Sequence, residues 1–294
     1  MTLEQSRYNL LVQPLAHPLQ RLARWRRARV LQRHPIPDAL WQQALNQLDV
    51  LHCLSDEDQR RLRDMATLFL HQKHFSGTHG FVVQPHMRVI IAAQACLLVL
   101  DLGLEYFRGW RGIVLYETGF LARHEFQDED GLVHETADEL DGESWDQGPV
   151  VLSWAEIDPA LTRGPARERE QASPPSNVVL HEFAHKLDYL SGDANGCPPL
   201  HRDVQTARWK ATFLEAYDAL CASVDADQPT PIDAYAAESP AEMFAVATES
   251  FFEEPEHLRM VLPDLYRQLA SFYRRDPAAD RQTTSNAQTA DSAP

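Results

Sequence analysis

Val178-Val179-Leu180-His181-Glu182-Phe183-Ala184-His185-Lys186-Leu187-Asp188 is the stretch from which the rest of the chain can be read. It contains the pattern H-E-x-x-H. On a helix, residues i and i+4 stand one above the other, so His181 and His185 can present imidazole nitrogens to a single ion. Glu182 lies about 100° further round the helix and can reach a water beside that ion. Three protein ligands and an open fourth position are what a catalytic zinc requires. The flanks agree with a helix. Pro174-Pro175 cannot sit in a helix interior, Ser176 or Asn177 can cap, and Ser191-Gly192 offers a stop. Leu180, Phe183, Ala184 and Leu187 supply an apolar face that would bury it. The plainer alternative is a buried helix whose histidines are merely hydrogen-bonded. A glutamate beside paired histidines is costly to bury without a cation, which favours the metal.

With 294 residues the chain can bury a sizeable core, as one large domain or one domain with an appendage. A net charge of −16 argues against a general nucleic-acid binder, because attraction to phosphate needs a basic surface. That charge is uneven. Residues 21–33 are rich in arginine, which reads as a solvated helix face or a contact for an acidic partner, whereas Glu125 to Asp146 holds ten acids and no Lys or Arg. Cys53, Cys96, Cys197 and Cys221 have no CxxC spacing and read as free thiols. The start lacks a signal-peptide pattern, and the longest apolar run, Val89 to Leu102, is too short to span a bilayer. No membrane partner and a cytoplasmic location are therefore expected.

Residues 1–16 have no strong period and are expected to be loosely held. Three helices should follow: Pro18 to about Arg33, one after Pro37 through Trp41 and Leu48, and one capped by Ser55 through Leu62 to Leu70. Thr78 to Gln84 is β-prone and Met87 to Leu100 reads as a buried helix. Gly112 to Thr118 has strand character, Leu121 to Phe126 less strongly so, and 128–143 should be a loop or ragged hairpin. Val150 to Trp154 reads as a strand with Pro149 at its start, and as the candidate edge strand for pairing with substrate backbone. Beyond the central helix, amphipathic helices are expected over Val204–Ser223, from Ser239 through Phe252, and over His257–Tyr273. Residues 277–294 hold no large apolar residue and should be disordered.

Two histidines leave a third ligand to find. The metzincin pattern would need Gly and His where Asp188 and Ser191 stand, which excludes it. The gluzincin solution takes a Glu from a later helix. Glu242 sits in the first turn of the helix opened by Ser239-Pro240, among apolar residues where an acid needs a reason. Glu249, seven residues on, faces the same way and is the reserve ligand or an acid supporting one, while Glu238 fits a solvated position. Tyr235 could donate a hydrogen bond to an oxyanion, or be a half-buried loop aromatic. Asp188 could orient an imidazole or cap a backbone amide, and His201 is the nearest other histidine without a role.

His181-Glu-Phe-Ala-His-Lys-Leu-Asp188, Gly142-Glu-Ser-Trp145, Gly148-Pro-Val-Val-Leu-Ser-Trp154 and Asp233-Ala-Tyr-Ala-Ala-Glu-Ser-Pro-Ala-Glu-Met-Phe-Ala245 together resemble the Mlc titration factor A family of bacterial zinc peptidases. The resemblance runs from the Arg-rich start and His34-Pro-Ile-Pro37 to Phe272-Tyr273. That family is similar, around its metal, to the catalytic domain of anthrax lethal factor, a gluzincin. The resemblance implies zinc ligands at His181, His185 and Glu242, a catalytic base at Glu182 and an oxyanion donor at Tyr235. It also implies a cytoplasmic protein and a transcription repressor of the Mlc type as partner. The expected fold is α+β, a zincin-like metallopeptidase with an HExxH helix, a small mixed sheet and a helical N-terminal part. The expected division is 1–76 helical, 77–276 catalytic and 277–294 tail. The expected function is a gluzincin-type zinc peptidase, aminopeptidase action included, with one Zn2+ per chain and a peptide or protein as substrate. The rival reading is a regulatory protein that sequesters a repressor and whose peptidase activity is incidental.

Overall fold

A computed structural model describes residues 21–118, 120–127, 133–140, 142–144, 148–158 and 177–283. The expected loose start at 1–16 and the end of the expected disordered tail, 284–294, lie outside the described residues. So do 128–132, 141 and 145–146 of the acidic segment.

The chain opens with α1 (21–33), α2 (Asp38–Gln47) and α3 (Asp56–Gln72). Ser55 caps α3 by accepting from the Asp58 N–H at 3.1 Å, and three acids in the first turn suit the positive end of the helix dipole. α2 and α3 pack on α4 (Pro85–Leu98), which is apolar all round and buried from Met87 onward except at Arg88.

Four strands make the main sheet, in the order β1-β2-β6-β5. β1 (His74–Gly77), β2 (Gly112–Tyr116) and β6 (Val150–Ser153) are parallel, and β5 (Gly142–Ser144) runs antiparallel to β6. Ile113 and Leu115 pair with Val150 and Leu152, and all four side chains are fully buried. A separate two-stranded sheet, β3 (Phe120–Gln127) antiparallel to β4 (Val133–Leu140), pairs Phe120 with Leu140 and Gln127 with Val133, and takes in residues 125–127 and 133–140 of the acidic segment.

After β6 come α5 (Trp154–Ile157), α6 (Val178–Asp188), α7 (Thr206–Asp225), α8 (Pro240–Glu253), α9 (Pro255–Val261) and α10 (Pro263–Tyr273). α6 is the H-E-x-x-H helix, and all 11 of its residues are buried. It packs against α8, α4, β5 and β6. Phe183 ties it to α3 and to the segment before β2, with ring centroids 5.8 Å from Phe69, 5.2 Å from Phe107 and 5.8 Å from Trp110. Truncating such a residue to Ala costs about 3–5 kcal/mol. One hydrophobic cluster runs from Ile36 to Ala278, and a division between residues 76 and 77 would cut β1.

Four expectations need correction. Val150–Ser153 is not an edge strand, because β2 and β5 pair with it on its two sides; β5 is the edge on that side of the sheet and β1 on the other. The strand placed at Thr78–Gln84 lies upstream at His74–Gly77, since His79 and Gly80 take positive φ (50° and 86°) and Phe81 N–H closes a turn onto Thr78 O. The last helix is broken in two, because Pro263 can begin a helix but not continue one. Finally, residues 277–283 of the expected tail are helical. Ala278 is fully buried there, Arg275 bonds Asp280, and Arg281 donates to Phe252 O and Glu253 O. Two small apolar residues, Pro277 and Ala278, and a set of charged clasps do what a large apolar residue usually does.

Candidate metal centre

The two helices that build the site are each started by a side-chain cap. Asn177 Oδ1 accepts from Leu180 N–H at 3.1 Å at the head of α6, and Ser239 Oγ accepts from Glu242 N–H at 3.2 Å at the head of α8. Pro240 takes the first helical position of α8, where its missing N–H costs nothing. The loop after α6 is pressed against that start. At Gly196 (φ 75°) a Cβ would lie 2.6 Å from Pro240 O and 2.7 Å from Phe213, so only glycine lets the two backbones approach.

This packing brings Glu242 onto the ligand face of α6. His181 Nε2 lies 3.1 Å from His185 Nε2 and 2.9 Å from Glu242 Oε2, and His185 Nε2 lies 3.4 Å from Glu242 Oε1. Ligand atoms about 2.0–2.1 Å from a tetrahedral zinc stand roughly 3.3 Å apart, so the triangle has the right size. These three residues form the group able to hold a metal ion among the described residues.

The electrostatics agree. Burial would lower the pKa of His181, but its contacts with Glu242 and Glu249 outweigh that and raise it to about 10. Burial would raise that of Glu242, and its bonds to His181 and His185 bring it down to about 2. Two imidazole nitrogens face each other across 3.1 Å beside a carboxylate, an arrangement that calls for a positive charge between them. A cation at that point takes the place of the proton.

Glu182 is buried, and its charge helps raise both His181 and Tyr235. Tyr235 stands in a short 3-10 turn, Ala234–Ala237, in which the Asp233 side chain accepts from the Tyr235 N–H at 2.9 Å; its ring centroid is 6.1 Å from that of His181. Burial, with Glu242, Glu182 and Glu238 nearby, pushes its pKa up to about 12. The phenol therefore keeps its proton at neutral pH and can only be a donor to an anion.

Other expectations resolve as follows. Glu249 is buried, with Oε1 2.7 Å from His181 Nδ1 on the side away from Glu242, so it supports a histidine and does not join the three converging atoms. Glu238 is exposed. Asp188 accepts from Gly196 N–H at 2.7 Å, and burial raises its pKa to about 6; of its two expected roles it takes the amide cap. His201 is engaged elsewhere, its Nε2 2.9 Å from Phe272 O and its ring stacked on Phe272. The four cysteines are free thiols. Sequence reasoning missed Gln94 and Glu253, both bonded at 2.7 Å to Asn177 Nδ2. The signal was present at Gln94, a lone amide in an apolar helix that lies in the core.

An α+β fold wrapped around a buried H-E-x-x-H helix, with an acid from a later helix brought to both histidines, is that of a zincin-like metallopeptidase. Comparison with known proteins narrows the class: residues 22–274 match the model of the glucose-regulated metallo-peptidase M90 family, and the chain belongs to that family. Curated relatives named Mlc titration factor A include one from Yersinia enterocolitica, 37% identical over 82% of this chain and 87% of its own length. Another, from Klebsiella pneumoniae, is 37% identical over 82% of this chain and 88% of its own. A third, from Yersinia pestis, is 36% identical over 82% and 86%.

Proposed function

We propose that this metallopeptidase is a zinc enzyme of gluzincin type, with His181, His185 and Glu242 as ligands, Glu182 as base and Tyr235 as oxyanion donor. The observation that carries the reading is the convergence of three donor atoms from α6 and α8 on one point, with Glu182 and Tyr235 beside it. A zinc ion held there supplies a Lewis acid for the scissile carbonyl and acidifies a water. Glu182 takes the proton of the attacking water and delivers it to the departing amine. Tyr235 donates its O–H to the carbonyl oxygen as negative charge develops there. The β5 edge, packed on α6, is where an extended peptide would add as a further strand. Aminopeptidase action is one form this chemistry takes.

A second reading has a specific support. The relatives' name, Mlc titration factor A, points to a repressor of the Mlc type as partner, and the similarity extends over most of both chains. Binding a repressor and hydrolysing a peptide are compatible in one chain. A cytoplasmic site of action suits such a partner, and among the described residues no helix is long and apolar enough to cross a membrane.

The purified protein should carry about one zinc per chain and hydrolyse some member of a panel of chromogenic amino-acid and peptide substrates. A chelator should abolish that activity and zinc restore it. A metal-loaded protein inert toward the whole panel, yet tight in binding an Mlc-type repressor, would favour the second reading.

A further inference from the structure

His181 is held from both sides. While its Nε2 faces Glu242 and His185, its Nδ1 lies 2.7 Å from Glu249 Oε1. The other oxygen of that carboxylate, Oε2, accepts the backbone N–H of Asn177 at 2.6 Å. Asn177 is also the residue whose side chain caps α6. Glu249 is thus fixed by the same residue that fixes the start of the helix carrying the ligands. Its side chain is 8% exposed, so neither bond is much diluted by water.

We propose that Glu249, anchored by the backbone N–H of Asn177, is the positioning residue of the metal centre: it fixes the tautomer and the ring plane of His181 and makes Nε2 a stronger donor. A carboxylate only accepts hydrogen bonds, so Nδ1 must carry the proton, which leaves Nε2 its lone pair for a metal. The negative charge behind the ring raises the basicity of Nε2. His185 gains no such support from Asp188, whose hydrogen bond goes to Gly196 N–H. Among the described residues, His181 is thus the histidine of the motif that a buried carboxylate holds at Nδ1. This rests on the proposed metal ligands.

Glu249→Gln tests it, because the amide keeps the shape and breaks the arrangement. Gln has one acceptor where Glu249 uses two, so its NH2 must face either the Nδ1–H of His181 or the N–H of Asn177. Glu253→Gln is the control. Glu253 lies four residues along α8 and accepts from Asn177 Nδ2, with no bond to a histidine, and a glutamine there can still accept. The readouts are affinity of the apo full-length protein for Zn2+ and Co2+ by chelator competition, the visible spectrum of the Co2+ form, and thermal unfolding of the apo form. Glu249→Gln should lower metal affinity about 10- to 100-fold and alter the Co2+ spectrum, whereas Glu253→Gln should leave both as in the parent, whatever it does to apo stability. Should Glu249→Gln not fold, Glu249→Asp asks the same question: it keeps the charge and withdraws it by one methylene, and affinity should fall likewise. Parent-like affinity and spectrum in the Glu249 variant, or equal losses in both variants, would overturn the proposal while leaving the metal centre intact. A parent protein that takes up neither metal would overturn the proposed ligands, and this role with them.

Discussion

Tyr235→Phe removes one hydroxyl from the site and little else. Among the described residues that hydroxyl has no hydrogen-bond partner, and the residue is 48% exposed, so its loss orphans no buried group and should leave the unfolding temperature within about a degree. The ring, 6.1 Å from that of His181, stays in place because the turn is pinned elsewhere: Asp233 caps it and Tyr217 O–H donates to Ala237 O at 3.1 Å. Only the bond to a developing oxyanion is lost. Single oxyanion donors in water-excluded sites are worth roughly 10²–10³ in kcat. Tyr235 is half exposed, so water screens part of its effect, and the expected loss is ~10- to 1000-fold, centred near a hundredfold or about 2.7 kcal/mol. KM and metal content should hardly move, since the donor acts on charge that the ground state lacks. With the phenol's pKa at about 12, the ratio of parent to variant kcat should also be flat between pH 6 and 9. The assay is steady-state hydrolysis of the best chromogenic peptide over that range, with metal analysis of both proteins. Parent-like kcat in a folded, metal-replete variant would refute the reasoning and return Tyr235 to a packing role.

Three further outcomes are expected. Glu182→Gln should keep its metal and fold and lose at least about a hundredfold in activity; turnover retained in a metal-replete variant would remove Glu182 as the base. Glu242→Ala should strip most of the metal by withdrawing one of three ligands, and full metal content by elemental analysis would show that the third ligand lies elsewhere. Burial, with Lys186 nearby, lowers the pKa of Lys73 from 10.5 to about 7. Between those values the unfolded chain holds more protons than the folded one, so this group's contribution to stability rises with pH. Relative to the parent, Lys73→Met should therefore be at its best near pH 6 and lose ground by pH 9 in thermal unfolding; a difference independent of pH would count against a neutralised Lys73.

The chain by itself determined the local parts of this protein. The i, i+4 spacing of His181 and His185, the caps at Ser55, Asn177 and Ser239, and the apolar run that becomes α4 are all set by neighbours within a few residues. Spacing of that kind is legible because helix geometry is the same in any context. Glu242 was reachable too, since an acid in an apolar first turn departs from a local rule. Tertiary structure alone decided the rest. Strand order made β5 an edge and placed Val150–Ser153 between partners, because pairing in a sheet is a contact between distant segments that no local pattern records. Glu249 went to Nδ1 and Glu242 to Nε2 because α8 packs on α6 with its first turn on the open side of His181 and its third turn behind the ring. Gln94 and Glu253 met at Asn177, and Ala278 entered the core, through packing across long stretches of chain. Residue type tells which side chains need a partner when buried; only the packing of helices and strands selects the partner.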